Sequence, residues 1–246
     1  ESKKLVQTPS VSIAPRWNKN LENPVLLYSE HSPSNLRLMA VDLHGKRWVA
    51  SNFEGLNMLP SFSDDGSCVV MCLSHGKKSN LYLYKQNDKT KKTILKRLTK
   101  NNGNNISPCV LDDGSGVYFC SDFQSKNPQI YFLDFAKEKT KRITNDGYCV
   151  SPNYSSAAKK LVYGKMVNGV LQLFLYDPKT KAEEQITFNA GNKEEASWSP
   201  CGNYLAYSVE KNGKGQIAVM HIITRNVRLI TPANQDCIYP AWSPLY

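Results

Sequence analysis

The chain has 246 residues, of which 41% are hydrophobic, so it can bury a substantial core as one large domain or two smaller ones. Its apolar runs are too short for a membrane-spanning helix, and no charged and apolar leader segment opens it. The opening residues Glu1-Ser2-Lys3-Lys4 are typical of a cut inside a longer protein, and we draw no compartment from them. A net charge of +10 predicts a basic surface with a weak attraction to anionic partners.

One short segment, called the anchor segment below, recurs six times along the chain. Five copies begin with proline and the fifth with alanine. Their third residues are Trp17, Phe62, Val110, Tyr154, Trp198 and Trp242. The spacings between them are 45, 48, 44, 44 and 44 residues. A period in the forties with turns marked by glycine is typical of a four-stranded propeller blade. The sequence therefore predicts an all-β protein with one domain over residues 1–246, a six-bladed β-propeller.

Each repeat has the same four parts, and the third repeat shows them clearly. A turn carrying Asp112-Asp113-Gly114 follows the anchor segment, and an apolar second strand follows at 117–120. The third strand, at 129–134, alternates between apolar and polar residues, and a polar hairpin leads to a short fourth strand ending in Ile143-Thr144. No stretch sustains a helical periodicity, so we assign about half the residues to strand and almost none to helix.

The two chain ends predict how the ring closes. The chain stops soon after the sixth anchor segment, and residues 4–8 match the fourth-strand ending of the other repeats. We therefore expect the sixth blade to take its innermost strand from the C-terminus and its outermost strand from the N-terminus, which removes open sheet edges. The middle two strands of that blade have no sequence here, so we expect it to be incomplete.

Metal and nucleic-acid sites are not predicted. The seven cysteines include no Cys-x-x-Cys pair, and the four histidines are scattered, which argues against zinc. Most of the cysteines are interpreted as small packing residues, with pairing of some left open. The basic run from Lys85 to Lys100 is interpreted as a solvated hairpin, because nucleic-acid binding requires aromatic residues interleaved on the same face.

The repeats resemble the WD40-like propeller repeat of the TolB family, and the closing segment 239–244, Tyr-Pro-Ala-Trp-Ser-Pro, resembles the characteristic C-terminus of that family. The resemblance covers the whole chain and implies that the family's N-terminal α/β domain is absent from it. It also implies a non-enzymatic periplasmic scaffold of the Tol-Pal system, a monomer, which binds the lipoprotein Pal. Contact with TolA is implied only for the absent N-terminal region.

In that family the Pal-binding residues lie in the loops that lead into the innermost strands, directly before the anchor segments. We call these loops the mouth loops. Carried over to this chain, the resemblance implies that the partner-binding residues are Leu56, Met58, Leu59, Asn104, Asn105, Ile106, Ser107, Val150, Ser151, Glu194, Glu195, Ile238 and Tyr239. Relatives often carry His and Gly-Ala in the second loop, where this chain has Leu56 and Met58-Leu59. We therefore expect a more apolar mouth, suited to a partner with aliphatic anchors.

Other functions and ligands remain as alternatives. Propellers with such repeats also cap prolyl-oligopeptidase-type serine hydrolases, so the chain could be a substrate-gating propeller detached from such an enzyme. No Gly-x-Ser-x-Gly motif is present, and none of the four histidines falls in a mouth loop, so we expect no catalytic residues. Some family members are thought to hold calcium in the channel. No Asp-x-Asp-x-Asp-Gly spacing supports a dedicated site here, so no cofactor or metal is predicted. Anionic envelope polymers are a further candidate partner for the basic surface.

Overall fold

The computed structural model of the protein describes residues 4–244 except 19, 33–34, 64–65, 67 and 87–92. The described residues form twenty β-strands and no helix. Every four consecutive strands make one antiparallel sheet, which gives five sheets in chain order. The predicted turn residues Asp64 and Asp65, and three lysines of the basic run, Lys89, Lys91 and Lys92, lie outside the described residues.

We number the sheets as blades 1 to 5, each running from an innermost to an outermost strand. Blade 1 contains β1 Ser12–Trp17, β2 Val25–Ser32, β3 Asn35–Asp42 and β4 Arg47–Ser51. Blade 2 contains β5 Leu56–Phe62, β6 Val69–His75, β7 Lys78–Gln86 and β8 Thr93–Arg97. Blade 3 contains β9 Asn105–Val110, β10 Gly116–Ser121, β11 Gln129–Asp134 and β12 Lys139–Arg142. Blade 4 contains β13 Cys149–Ser155, β14 Lys160–Val167, β15 Val170–Tyr176 and β16 Glu183–Gln185. Blade 5 contains β17 Lys193–Trp198, β18 Tyr204–Lys211, β19 Lys214–His221 and β20 Val227–Leu229.

The core lies between neighbouring blades. The second strands are apolar on both faces because both faces are covered, and β10 is buried along its whole length. Between blades 2 and 3, Val70 and Leu81 pack with Phe119 and Tyr131 in one cluster. Five of the seven cysteines are buried, as predicted for small packing residues. Nowhere in the described ranges is there a helix long and apolar enough to cross a membrane.

Neighbouring anchor segments are joined by a recurring hydrogen bond. The backbone N–H of Val110 donates to Ser61 Oγ at 2.9 Å, and that of Tyr154 donates to Cys109 Sγ at 3.1 Å. The N–H of Trp242 donates in the same way to Ser197 Oγ at 3.2 Å. Residues from all six anchor segments line one cavity of about 390 Å³. The sixth anchor segment therefore lies beside blade 5 as the fourth lies beside blade 3.

The predicted sixth blade is not formed as a sheet by the described residues. Five blades are confirmed, but residues 4–11 and 230–244 contain no strand. Val6 packs against Tyr28 of blade 1, so the N-terminal segment lies near the predicted place without pairing. The exposed fraction of Ile230 is 56%, whereas Ile186, which makes the equivalent backbone bond in blade 4, is 4% exposed. The difference arises because no further sheet among the described residues covers the outer part of blade 5.

Candidate functional site

In the five blades, most of the mouth-loop residues are part of the innermost strands, whereas Asn104 precedes β9 and the sixth segment, with Ile238 and Tyr239, is not in a strand. Strand β5 begins at Leu56, β9 at Asn105, β13 at Cys149 and β17 at Lys193, all upstream of their anchor segments. Each strand keeps pairing because a β-bulge shifts its register, for example between Met58 and Ser61 in β5. Bulges turn side chains in new directions and are common next to functional sites.

A left-handed backbone conformation marks the same position in all six repeats. The residue before each anchor segment has a positive φ, with values of 53° for Ala14, 53° for Leu59, 51° for Ser107, 52° for Ser151, 53° for Glu195 and 57° for Tyr239. None of the six is glycine, and such a conformation costs of order 1–3 kcal/mol per residue, so the surrounding structure must hold it. Its recurrence at Tyr239 shows that the C-terminal segment has the backbone geometry of an innermost strand.

Small residues on the second strand of the preceding blade hold this conformation. The N–H of Leu59 donates to Ser29 Oγ at 3.1 Å, and the N–H of Tyr239 donates to Ser208 Oγ at 3.1 Å. The side chain of Ser29 is fully buried. A buried hydroxyl in this place satisfies an amide that the bulge removes from the strand ladder.

Side chains of three blades meet around Glu195. Its carboxylate accepts a hydrogen bond from Ser151 Oγ at 2.9 Å and lies 4.0 Å from the guanidinium of Arg16. Burial raises the pKa of Tyr239, and the carboxylates of Glu195 and Glu194 raise it further. These contacts connect blades 1, 4 and 5 and the C-terminal segment on one side of the mouth.

This side of the mouth is acidic. Burial raises the pKa of Glu194, and repulsion from Glu195 and Glu210 adds to the shift. The three glutamates line a hollow of about 200 Å³ together with Ile238 and Tyr239. A positively charged group of a partner would relieve the repulsion among the carboxylates.

The apolar mouth residues divide into exposed and half-buried ones. Leu56 is 43% exposed and Ile238 is 51% exposed, so both present apolar surface to solvent. The other predicted apolar residues are half-buried and pack against the clusters between blades, namely Met58, Leu59, Ile106 and Val150. These side chains therefore contribute to packing as well as to the mouth surface.

The two predicted asparagines of blade 3 hold the backbone around them. Asn104 donates from its backbone N–H and from Nδ2 to the carboxylate of Asp122, at 2.6 and 2.9 Å. Asn105 is fully buried, and its Nδ2 donates to Gly103 O at 2.9 Å and to Asn101 Oδ1 at 2.9 Å. Both amides are therefore already engaged, that of Asn104 with the residue after β10 and that of Asn105 within its own loop.

Three residues of the site are missing from the sequence predictions. Arg16 faces Glu195. It could have been found in the sequence because it is an arginine at the second anchor position, where the other five repeats have a small or polar residue. Asn57 and Lys193 occupy the place of Asn105 in blades 2 and 5 and bond to the carbonyls of their own loops. No common residue type marks this position. Among the described residues, no group of three or more His, Cys, Asp or Glu side chains is placed to hold a metal ion.

The comparisons with known proteins agree with this geometry. Over residues 1–246 the chain matches the family described as the TolB beta propeller domain. The Tol-Pal system protein TolB of Francisella tularensis subsp. mediasiatica is 28% identical over an alignment of 250 positions that covers 98% of this chain and 56% of that protein. The chain therefore spans about half the length of this relative.

Two solved structures show how far the fold extends. The crystal structure of TolB from Acinetobacter baumannii superposes with a TM-score of 0.84 and 24% identity over 97% of this chain and 59% of that chain. A puromycin-hydrolyzing peptidase from Mycobacterium tuberculosis superposes with a TM-score of 0.67 and 12% identity over 89% of this chain and 38% of that chain. The fold is thus shared by proteins with different names, and the match over the full length decides the family. The chain belongs to the TolB beta propeller domain family.

Proposed function

We propose that this chain is a non-enzymatic, protein-binding scaffold of the Tol-Pal envelope system in the periplasm, and that its partner is a Pal-type lipoprotein. The partner docks on the channel mouth. Membership of the TolB propeller family supports a role in the Tol-Pal system. The structure of the mouth supports docking of the partner at that place. A link to TolA would run through a region outside this chain.

The observation that carries this proposal is the strained residue repeated before all six anchor segments. Six positive φ values at non-glycine residues are costly, and backbone strain of this kind clusters at functional sites. Five of the six strained residues lie on β-strands of the blades, so this part of the mouth is ordered before a partner arrives, which lowers the entropic cost of binding.

The chemistry of the mouth defines what the partner must offer. The acidic hollow around Glu194 and Glu195 favours a basic group, and the exposed Leu56 and Ile238 favour aliphatic anchors. Interfaces of this type draw most of their affinity from a few buried anchors and gain specificity from charge complementarity.

Calorimetry with the cognate Pal domain tests the proposal. We expect Glu195→Lys to weaken binding about tenfold or more, because it reverses the charge on the acidic side of the mouth. Glu22→Lys makes the same charge change on an exposed turn at the opposite end of blade 1 and is the matched control. Absence of heat with the unmodified chain, or equal loss in both variants, contradicts the proposal.

Two further assays separate the remaining candidates. The peptidase superposition favours a gating propeller as the second candidate, and a parent gene that continues into an α/β-hydrolase domain would support it.

The net charge of +10 supports a weak attraction to anionic envelope polymers. Retention on such polymers that falls with added salt is the expected result, and retention unaffected by salt contradicts it.

A further inference from the structure

A second cavity lies in the seam between blades 2 and 3. Its volume is about 740 Å³, within the range of about 300–1,000 Å³ that is usual for small-molecule sites. Leu83 and Leu98 of blade 2 line it on one side, and Phe123, Leu133 and Phe135 of blade 3 line it on the other. Four of these five side chains are only partly buried, although they belong to the apolar cluster between the blades. The cavity is therefore an open extension of that cluster.

Charged residues surround the apolar floor unevenly. The blade 2 side carries four cations, Lys85, Lys96, Arg97 and Lys100, and the blade 3 side carries three carboxylates, Asp113, Asp134 and Glu138.

All three carboxylates have partners. Glu138 pairs with Lys96 at 2.8 Å, Asp134 pairs with Lys137 at 3.1 Å, and Asp113 accepts the N–H of Ser115 at 2.9 Å. Within the described ranges, no carboxylate lies within ion-pair distance of Lys85 or Lys100.

Comparison of equivalent strand positions shows how the cavity arises. One backbone hydrogen bond recurs in blades 2, 3 and 4 and aligns their third strands. Its donor and acceptor are Leu98 N and Leu81 O in blade 2, Ile143 N and Ile130 O in blade 3, and Ile186 N and Leu173 O in blade 4. In this alignment Lys85 stands where blades 3 and 4 have Asp134 and Asp177.

Those two aspartates accept backbone N–H groups of their own hairpins, from Lys137 at 2.9 Å and from Lys179 at 2.8 Å. A lysine cannot accept such a bond. Leu83 stands where blade 3 has the larger Phe132, which packs in the next cluster, and where blade 4 has Leu175. Blade 2 therefore has a cation where blades 3 and 4 have a hairpin cap, and a smaller side chain than blade 3 two residues before it.

We propose that this cavity binds a single-chain amphiphile with one anionic head group. The alkyl chain lies against the leucine and phenylalanine side chains, where it removes apolar surface from water. The head group lies beside Lys85 and Lys100. The ligand class is independent of the partner proposed for the channel mouth.

Calorimetry with sodium dodecanoate below its critical micelle concentration tests this site, with decanoate and dodecyltrimethylammonium as comparisons. We expect one dodecanoate per chain. Affinity should fall about fourfold per methylene removed if the alkyl chain enters the cavity. Dodecyltrimethylammonium, which has the same chain and the opposite charge, should bind more weakly.

Two variants replace residues of blade 2 by the residues that blade 3 has at the equivalent positions. The double variant Lys85→Asp with Lys100→Asn should weaken dodecanoate binding roughly tenfold, because it removes the two cations placed beside the head group, of which Lys100 also interacts with Glu138 at longer range. Leu83→Phe should remove the dependence on chain length. Lys179→Gln, an exposed lysine of a blade 4 hairpin, is the control.

Circular dichroism melts of each variant establish that it is folded. No binding of dodecanoate, or equal affinity for dodecanoate and dodecyltrimethylammonium, overturns the proposal. Unchanged affinity in both the lysine double variant and Leu83→Phe also overturns it, because the ligand would then lie elsewhere.

Discussion

Replacing Ser197 by alanine tests whether the C-terminal segment occupies the sixth position of the ring in solution. Ser197 Oγ accepts the N–H of Trp242 at 3.2 Å, as Ser61 Oγ accepts the N–H of Val110 at 2.9 Å between blades 2 and 3. A net hydrogen bond contributes about 0.5–1.5 kcal/mol to the free energy of unfolding, and a buried amide left without a partner costs about 1–3 kcal/mol.

The magnitudes follow from the burial of each pair. We expect Ser197→Ala to lose about 0.5–1.5 kcal/mol, because its bond is only partly buried. Ser61→Ala should lose about 1–3 kcal/mol, because Ser61 is 7% exposed and Val110 is 4% exposed. Urea unfolding followed by tryptophan fluorescence measures both, and the melting temperature should fall about 2–4 °C per kcal/mol for a chain of this length.

Ser61→Ala serves as the matched reference because its bond joins two complete blades. If Ser197→Ala unfolds at the same urea concentration as the unmodified chain while Ser61→Ala does not, the C-terminal segment does not hold the sixth position. If both variants match the unmodified chain, these bonds do not stabilise the contacts between blades, and the reasoning on ring closure is wrong.

Three further predictions concern stability and reactivity. Ile186→Ala should lower the free energy of unfolding in urea by about 2–4 kcal/mol, because Ile186 is 4% exposed. Ile230→Ala should lower it by less than about 1 kcal/mol, because Ile230 is 56% exposed. Equal losses would mean that blade 5 is covered. Cys201 is exposed, and the hydroxyl of a neighbouring serine lowers its pKa, so iodoacetamide should modify it first at neutral pH; mass spectrometry that finds a buried cysteine modified first contradicts this. Lys160 donates to Asp177 at 2.7 Å and, with two backbone N–H groups, lowers the pKa of Asp177 from 3.8 to about 2. The stabilisation by the Asp177 carboxylate is present above pH 3.8 and is lost as the pH falls towards 2. In Asp177→Asn the melting temperature should therefore fall less steeply between pH 3.8 and 2 than in the unmodified chain. An unchanged slope contradicts the assignment.

The blades could be predicted because the residue pattern of the anchor segments repeats along the sequence. In the structure, a hydrogen bond between neighbouring anchor segments repeats with it. Tyr154 and Trp242 follow from the shared residue pattern and its spacing, and their N–H groups make equivalent bonds to the preceding anchor segment. The apolar second strands were recognisable because strands covered on both faces lose the alternation that marks half-exposed ones. The six anchor segments do not show whether a sixth sheet forms, since the repeats supply only two segments, at residues 4–8 and 239–244, for the blade that was predicted from them.

The strained mouth residues could not be predicted from residue type. A positive φ is normally indicated by glycine or asparagine, which adopt it at little steric cost. Here the position is taken by residues as different as Leu59, Glu195 and Tyr239. The conformation is imposed by the bulge and by bonds from the neighbouring blade, such as that from Ser29, which are remote in sequence. Tertiary contacts therefore override the local preference of each residue.

The mouth loops solve one physical problem with different side chains. In blades 2, 3 and 5, the loop before the strained residue has carbonyls without strand partners, and the buried residue two positions before the strained one satisfies them. Asn57 and Asn105 do so with a side-chain amide, and Lys193 does so with an ammonium group that donates to the carbonyls of Asn189, Ala190 and Gly191. Burial lowers the pKa of Lys193, and the three carbonyls replace the water that its ammonium group loses. The mouth is thus ordered by the chain's own side chains, which compensate the backbone strain from within the fold.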